Sequence, residues 1–154
     1  MNMKTLYFLL LFCMVHMTEA QTLVVLGTLQ DGGSPHMSCL KSCCATERPN
    51  DYVVSLGVID ESKHFLFDAS LDIVSQTNYL QSISSAKELE IFLTHAHMGH
   101  YAGLIHLGRE SANTKKTPVY VMPRMEKFLR NNGPWNQLID LENISIQPIQ
   151  NKTP

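Results

Sequence analysis

The stretch THAHMGHYAG, residues 94–103, decides the fold and the chemistry of this chain. Three of the seven histidines, His95, His97 and His100, fall within six positions there. They directly follow the apolar run LEIFLT, residues 89–94, which predicts a buried strand. Loops at strand ends in α/β sheets are common places for functional sites, because a rigid edge holds them beside a crevice. The three histidines are therefore candidate site residues.

Their spacing indicates a metal site. Because Ala96 separates His95 from His97, an extended backbone directs both imidazoles to the same side. We expect a helix to begin near His100, so that this side chain can turn back toward the other two. Three neutral imidazoles suit zinc and leave one position of a tetrahedral ion open for water. One zinc ion is the predicted cofactor, with iron as the alternative.

The segments around the histidines alternate between strand and helix patterns. Strand-like runs cover residues 22–28, 52–59, 64–67, 89–94, 118–122 and the region near 144–149. Helical patterns run from an N-cap at Ser70 to about residue 83, from near 100 to 107, and from Pro123 to 130. This alternation predicts an α/β layered sheet in one domain, residues 21–154.

The first 20 residues read as a secretory signal peptide. Lys4 precedes an apolar run over residues 6–15, and Thr18 and Ala20 provide small residues before a cleavage site. The run is shorter than the ~20 residues that span a bilayer. We therefore expect an exported protein, periplasmic or extracellular, that starts at Gln21 and has no stable membrane anchor after cleavage.

Three cysteines of the exported part, Cys39, Cys43 and Cys44, lie within six positions. In an oxidising compartment Cys39 could form a disulfide with one of the other two. Alternatively, three thiolates this close could hold a structural zinc ion. Both interpretations remain open on the residues alone.

The composition limits the partners. Hydrophobic residues make up 44% of the chain and charged residues 17%, which is typical of a globular protein. The net charge is −2 and no basic patch stands out, so nucleic-acid binding has no electrostatic support. A small-molecule substrate is the expected partner.

The histidine stretch resembles the His-x-His-x-Asp-His signature of the metallo-β-lactamase superfamily. That resemblance implies an αββα sandwich in which His95 and His97 bind a first metal ion and His100 belongs to a second site. FLFDAS, residues 65–70, resembles the strand-ending motif of the superfamily. This resemblance implies that Asp68 supports the metal-binding loop by contacting the ligand residues and not the ion itself. Without the resemblance, Asp68 would be a helix-capping or turn aspartate.

The N-terminal part is similar to the branch that contains the pyrroloquinoline quinone biosynthesis protein B. The similarity rests on Gly27, the pair Gly32-Gly33, Pro35 and the cysteines. In that branch the cysteines are associated with a structural zinc ion, which favours the thiolate interpretation here. The resemblance covers most of the chain after residue 20, but only residues 65–70 and 94–103 are highly specific.

Two departures from the signature weaken the prediction of catalysis. Gly99 stands where the signature has its aspartate, which removes a ligand and a water-orienting group. No histidine follows His106, so the ligands from the second half of the fold have no counterpart. We therefore expect only the N-terminal half of the sandwich, with an exposed apolar face.

Three functions remain as hypotheses. The first is a single-zinc hydrolase that activates water to cleave an ester, lactone, amide or phosphoester. The second is an iron-dependent oxygenase like protein B of quinone biosynthesis. The third is a metal-binding protein with weak or no catalysis, in which no catalytic residue can be assigned because Gly99 replaces the aspartate.

Overall fold

The computed structural model describes residues 21–45 and 51–151. The signal peptide predicted for residues 1–20 lies outside this part. Six strands form one sheet in which the strand order follows the sequence. The strands are β1 (Thr22–Gly27), β2 (Ser55–Ile59), β3 (Lys63–Phe67), β4 (Glu88–Phe92), β5 (Thr117–Val121) and β6 (Ile144–Pro148). The first three strands pair antiparallel, and the last four, from β3 to β6, pair parallel.

Helical segments connect the parallel strands. They are α2 (Ile73–Ile83), two 3₁₀ helices (Met98–His100 and Ala102–Leu107), α3 (Pro123–Asn131) and α4 (Trp135–Asp140). A further short helix, α1 (Ser42–Ala45), lies between the antiparallel strands β1 and β2. Parallel strands require such crossovers, and successive right-handed crossovers in one direction bring the helices to one face of the sheet. The predicted α/β class is thus confirmed.

The hydrophobic core lies between the sheet and these helices. Leu66 and Ile91 of neighbouring strands are fully buried, as are Leu80 of α2, Leu104 of the second 3₁₀ helix and Leu129 of α3. Each such side chain stabilises the fold by roughly 1.5–3 kcal/mol relative to exposure. Parallel strands with one well-covered face position their C-terminal ends rigidly, and the candidate site lies there.

The opposite face of the sheet lacks such a cover in the described part. Leu23 and Val25 of β1 are 64% and 61% exposed. Further along this face the aromatic rings of Phe67, Phe92 and Tyr120 stack on one another, with centroids 5.3 and 4.3 Å apart. The exposed apolar surface expected for half of a sandwich is present.

The helix expected to start near His100 is instead a pair of 3₁₀ helices. The reason is a pairing between two loops: the Ala69 N–H donates to the His100 carbonyl, and the Gly103 N–H donates to the Ala69 carbonyl. Because these groups bond across to residue 69, they cannot join an α-helical ladder. Tertiary contacts override local propensity at this position.

Two other local expectations are wrong. Ser70 is not the N-cap of α2, which begins at Ile73 after Asp72. The buried Ser70 hydroxyl donates to Gln76 instead. Helix α4 has no counterpart among the predicted elements. Its Trp135 ring lies 4.9 Å from the ring of Tyr101 and 5.5 Å from that of Phe128, so aromatic packing stabilises a helix too short to form alone.

Candidate metal site

Three loops meet at the C-terminal ends of the central strands. Asp68 follows β3, His95 and His97 lie beyond β4, and Asp31 comes from the turn after β1. The backbone at Asp68 has φ of 71°, a left-handed conformation that aspartate tolerates better than most residues. The site therefore combines residues that are far apart in the sequence.

The inner half of the site consists of Asp68, Thr94 and His100. One Asp68 oxygen, Oδ1, accepts the Thr94 N–H at 2.8 Å, and the other, Oδ2, lies 2.7 Å from His100 Nδ1. The Thr94 hydroxyl lies 2.8 Å from Oδ2 as well. The Asp68 and His100 side chains are 9% and 8% exposed. This half is a buried, hydrogen-bonded assembly whose geometry is fixed.

The outer half consists of Asp31, His95 and His97. Asp31 Oδ2 lies 3.1 Å from His97 Nδ1, and Asp31 Oδ1 lies 2.9 Å from His100 Nε2, so this carboxylate connects both halves. The His97 side chain is 70% exposed and that of Asp31 38%. The outer half is accessible to solvent and to a ligand.

The three predicted histidines do come together. The ring centroid of His95 lies 4.5 Å from that of His97 and 4.0 Å from that of His100, while His97 and His100 are 6.4 Å apart. His95 therefore stands between the other two rings.

The contacts of Thr94 indicate which ring nitrogen of His95 carries the proton. Its hydroxyl lies 2.9 Å from His95 Nδ1 as well as close to the Asp68 carboxylate. The carboxylate can only accept, so the single hydroxyl proton goes to Asp68 and the oxygen accepts from Nδ1–H of His95. This assignment follows from the hydrogen-bond network. It leaves Nε2 of His95 with a free lone pair, as a metal ligand requires.

The donor atoms form two overlapping groups that could hold a metal ion. One group is Asp31, His95 and His97, and the other is Asp68, His95 and His100, each with its ligand atoms within 4.8 Å of one another. Imidazole and carboxylate donors suit Zn²⁺ and Fe²⁺. His95 is common to both groups.

The surroundings of Asp31 and His100 shift the pKa values of these two side chains in opposite directions. The hydrogen bond with His100 lowers the pKa of Asp31, even though partial burial opposes this shift. Burial by itself would lower the pKa of His100, but its hydrogen bonds with Asp68 and Asp31 outweigh burial and raise it. A carboxylate on each side of the ring thus favours the imidazolium.

Sequence reasoning did not identify Asp31. It lies in the turn QDGGSP, residues 30–35, where an aspartate is ordinary turn chemistry. Its only sequence signal is indirect, namely the missing aspartate at Gly99.

The expectation of a structural zinc ion at Cys39, Cys43 and Cys44 is wrong. Cys39 and Cys44 form a disulfide, with Cα atoms 5.8 Å apart, and a disulfide sulfur has no thiolate to offer a metal. The alternative interpretation, a disulfide of Cys39 with a neighbouring cysteine, is confirmed. The Cys43 side chain lies outside the described part.

Comparison with known proteins identifies the family. A profile of the beta-lactamase superfamily domain matches residues 63–154, which is more than half of the chain. The chain therefore belongs to this superfamily, and the predicted metallo-β-lactamase-like fold is confirmed. No curated protein sequence matches the chain significantly.

Three solved structures show the same fold. A diphosphatase of the PhnP family is 22% identical with a TM-score of 0.63, over 86% of this chain and 51% of that one. Zn²⁺-bound PqqB from Methylobacterium extorquens is 22% identical with a TM-score of 0.63, over 85% and 50%. The metallo-β-lactamase fold protein YhfI from Bacillus subtilis is 12% identical with a TM-score of 0.53, over 86% and 48%. At these identities the likeness concerns the fold, and the chain spans about half the length of each structure.

Proposed function

We propose that this chain provides the histidine ligands of a metal-dependent hydrolase site. His95 and His97 hold one Zn²⁺ ion, and His100 assists. The single observation that carries the proposal is the convergence of three imidazoles beside two carboxylates at one edge of the sheet. A zinc ion held there would polarise the substrate and lower the pKa of a bound water toward neutrality.

The residues of this chain have separate roles in the proposal. Thr94 keeps the proton of His95 on Nδ1 and leaves Nε2 for the ion. Asp68 orients His100 through the 2.7 Å hydrogen bond to Nδ1 and fixes the loop through the Thr94 N–H. Exposure of His97 leaves room for a substrate on the outer side. The substrate class is an ester, lactone, amide or phosphoester, and the shared fold with a diphosphatase puts phosphoesters first among those to assay.

The experiment combines metal analysis with turnover. The purified full chain should take up one equivalent of Zn²⁺, and the double variant His95→Ala, His97→Ala should take up none. Hydrolysis of model phosphoesters, esters and lactones should depend on that zinc. Uptake of zinc by the double variant at the same stoichiometry as the parent would refute the site.

Two other outcomes correspond to different functions. Preferential loading with iron and oxygen-dependent turnover would indicate an oxygenase. A folded, zinc-loaded chain that cleaves none of these substrates would indicate a binding protein. In either case the hydrolase proposal is rejected.

We also propose that the protein is exported. The support is the signal-like pattern of residues 1–20 and the Cys39–Cys44 disulfide, which is typical of oxidising compartments. Among the residues that the structure describes, no helix is long and apolar enough to cross a bilayer. Expression with residues 1–20 in place should give a mature N-terminus at Gln21, whereas retention of Met1 on the cytoplasmic product would refute export.

A further inference from the structure

Gly99 stands where the superfamily signature carries an aspartate, and the turn after β1 fills the space beside it. A Cβ atom built on Gly99 would lie 2.7 Å from the Asp31 carbonyl oxygen, 2.8 Å from Asp31 Cα and 2.8 Å from Asp31 Cβ. Real Cβ atoms essentially never make contacts this short. The turn after β1 therefore occupies the volume in which a side chain at position 99 would begin.

The Asp31 carboxylate is directed into the site from this position. Its two oxygens lie 2.9 Å from His100 Nε2 and 3.1 Å from His97 Nδ1. Together with His95 and His97 it forms one of the two groups of ligand atoms within 4.8 Å of one another. Its partial exposure, 38%, leaves the carboxylate accessible to an ion.

The turn that carries Asp31 is held in place on both sides. Before it, the Leu29 N–H donates to the Tyr52 carbonyl at 3.0 Å, and the Leu29 carbonyl accepts the Val54 N–H at 2.9 Å. After it, the Gly33 N–H donates to the Gln30 carbonyl at 2.9 Å. The Gln30 side chain accepts the Gly32 N–H at 2.9 Å. A carboxylate on such a fixed turn loses little conformational entropy on binding an ion.

We propose that Asp31 is a metal ligand and provides, from 69 residues before His100, the carboxylate that Gly99 lacks. The inference rests on the proposed metal site and adds a ligand to it. Gly99 and Asp31 form a matched pair in this arrangement: the first residue must be glycine because the second occupies its side-chain space. The metal site then has a carboxylate ligand even though the aspartate of the signature is missing.

The first test is the affinity of the full chain for Zn²⁺, measured by competition with a chromogenic chelator. Asp31→Asn keeps the shape but removes the charge, and we expect it to weaken zinc binding at least about tenfold, as is usual when groups that hold or support a metal are altered. The matched control is Asp60→Asn. Asp60 lies on the β2–β3 turn at the other end of the sheet, where its side chain accepts the exposed Glu61 N–H. This control should bind zinc like the parent.

The second test uses the matched pair. Gly99→Ala adds no charge and no donor, and Gly99 has no positive φ that would strain an alanine. Its methyl group should displace Asp31 and weaken zinc binding to a similar extent. The double variant Asp31→Asn, Gly99→Ala should bind zinc no more weakly than either single variant, because both substitutions remove the same interaction. Additive losses would contradict the pairing.

Cobalt substitution separates direct ligation from a structural role. Loss of a carboxylate ligand should change the visible absorption of the Co²⁺-loaded chain in Asp31→Asn, whereas an effect through folding alone would lower occupancy without changing the spectrum. Unchanged zinc affinity in Asp31→Asn would overturn this inference and leave the proposed function intact. A parent chain that binds no zinc would overturn both.

Discussion

The inner and outer halves of the site each present one carboxylate to the same imidazole, His100. Asp68 is 9% exposed and forms hydrogen bonds with Thr94 and His100, while the Asp31 side chain is 38% exposed and pairs with His97 and His100. The buried carboxylate is tied to the fold itself. The exposed carboxylate lies on a surface turn and can exchange its imidazole partners for an ion.

This difference indicates that the two halves serve different purposes. Buried polar groups are costly when they lose a partner, so the inner half should contribute mainly to folding. Exposed ion pairs contribute little to folding because solvent screens them, so the outer half should contribute mainly to binding. Substitution of each carboxylate can separate these two contributions.

The largest effect is expected for Asp68→Ala. It leaves the Thr94 N–H and the Nδ1 of His100 without their buried hydrogen-bond partner, which should cost about 2–6 kcal/mol of unfolding free energy in the metal-free protein, roughly 1–3 kcal/mol for each group. Asp31→Ala should leave that free energy nearly unchanged. Urea unfolding in the presence of EDTA measures both values.

A control addresses the unusual backbone at residue 68. Asp68→Asn keeps a side chain that tolerates the φ of 71° and an oxygen that can accept the Thr94 N–H, so any loss of stability in this variant excludes backbone strain. Equal losses for Asp68→Ala and Asp31→Ala would contradict the division between the halves.

The next largest effect is expected at Gly103, which supports the inner half. A Cβ atom there would overlap the Ser70 carbonyl oxygen and lie 2.9 Å from that of Ala69. Because both are backbone atoms, the loop that carries Asp68 must move, and Gly103→Ala should cost about 1–3 kcal/mol. Zinc affinity should fall together with stability.

Gly133→Ala is the matched control for Gly103→Ala. The nearest atom to a Cβ at Gly133 is 3.7 Å away, so this methyl group meets only ordinary contacts. The two variants add the same group at two different positions. If thermal unfolding showed equal shifts for both, the close approach of residues 69 and 103 would not matter for stability.

The sequence was informative about the residues that follow strands. His95, His97 and His100 could be found because they cluster behind an apolar run, and the strands themselves have clear hydrophobic patterns. Asp68 could be singled out from a six-residue motif. All of these signals are local, and local patterns can be interpreted without knowledge of the tertiary structure.

Asp31 and the 3₁₀ helices depended on contacts distant in sequence. Asp31 reaches the site because β1 pairs with β2 and the Leu29 backbone then bonds to Tyr52 and Val54. The segment after His97 departs from an α-helix because Ala69 takes its hydrogen bonds. Neither arrangement leaves a periodicity in the sequence, so propensity alone could not predict them.

The smallest expected effect compares His100 with His64, a second buried histidine that has no carboxylate partner among the described residues. His64 Nε2 lies 2.8 Å from the Ser84 hydroxyl. Burial, with a contribution from the nearby charge of Lys87, lowers the pKa of His64, whereas the two carboxylates raise that of His100. The pKa of a histidine side chain is therefore shifted in opposite directions at these two positions.

The lowered pKa of His64 predicts a specific pH dependence. Below the unfolded pKa near 6.5 the unfolded chain binds a proton that the folded chain does not, so stability falls as the pH falls from there toward the folded pKa. His64→Gln retains a polar group for Ser84 but cannot titrate, so the loss of stability between pH 7 and pH 5 should be smaller in this variant than in the parent. Urea unfolding across that range measures the difference. The contributions of the other histidines to the pH dependence cancel, because the parent and the variant both contain them. Parallel stability curves would show that burial does not depress the titration of His64, and the contrast with His100 would then have to come from the carboxylates alone.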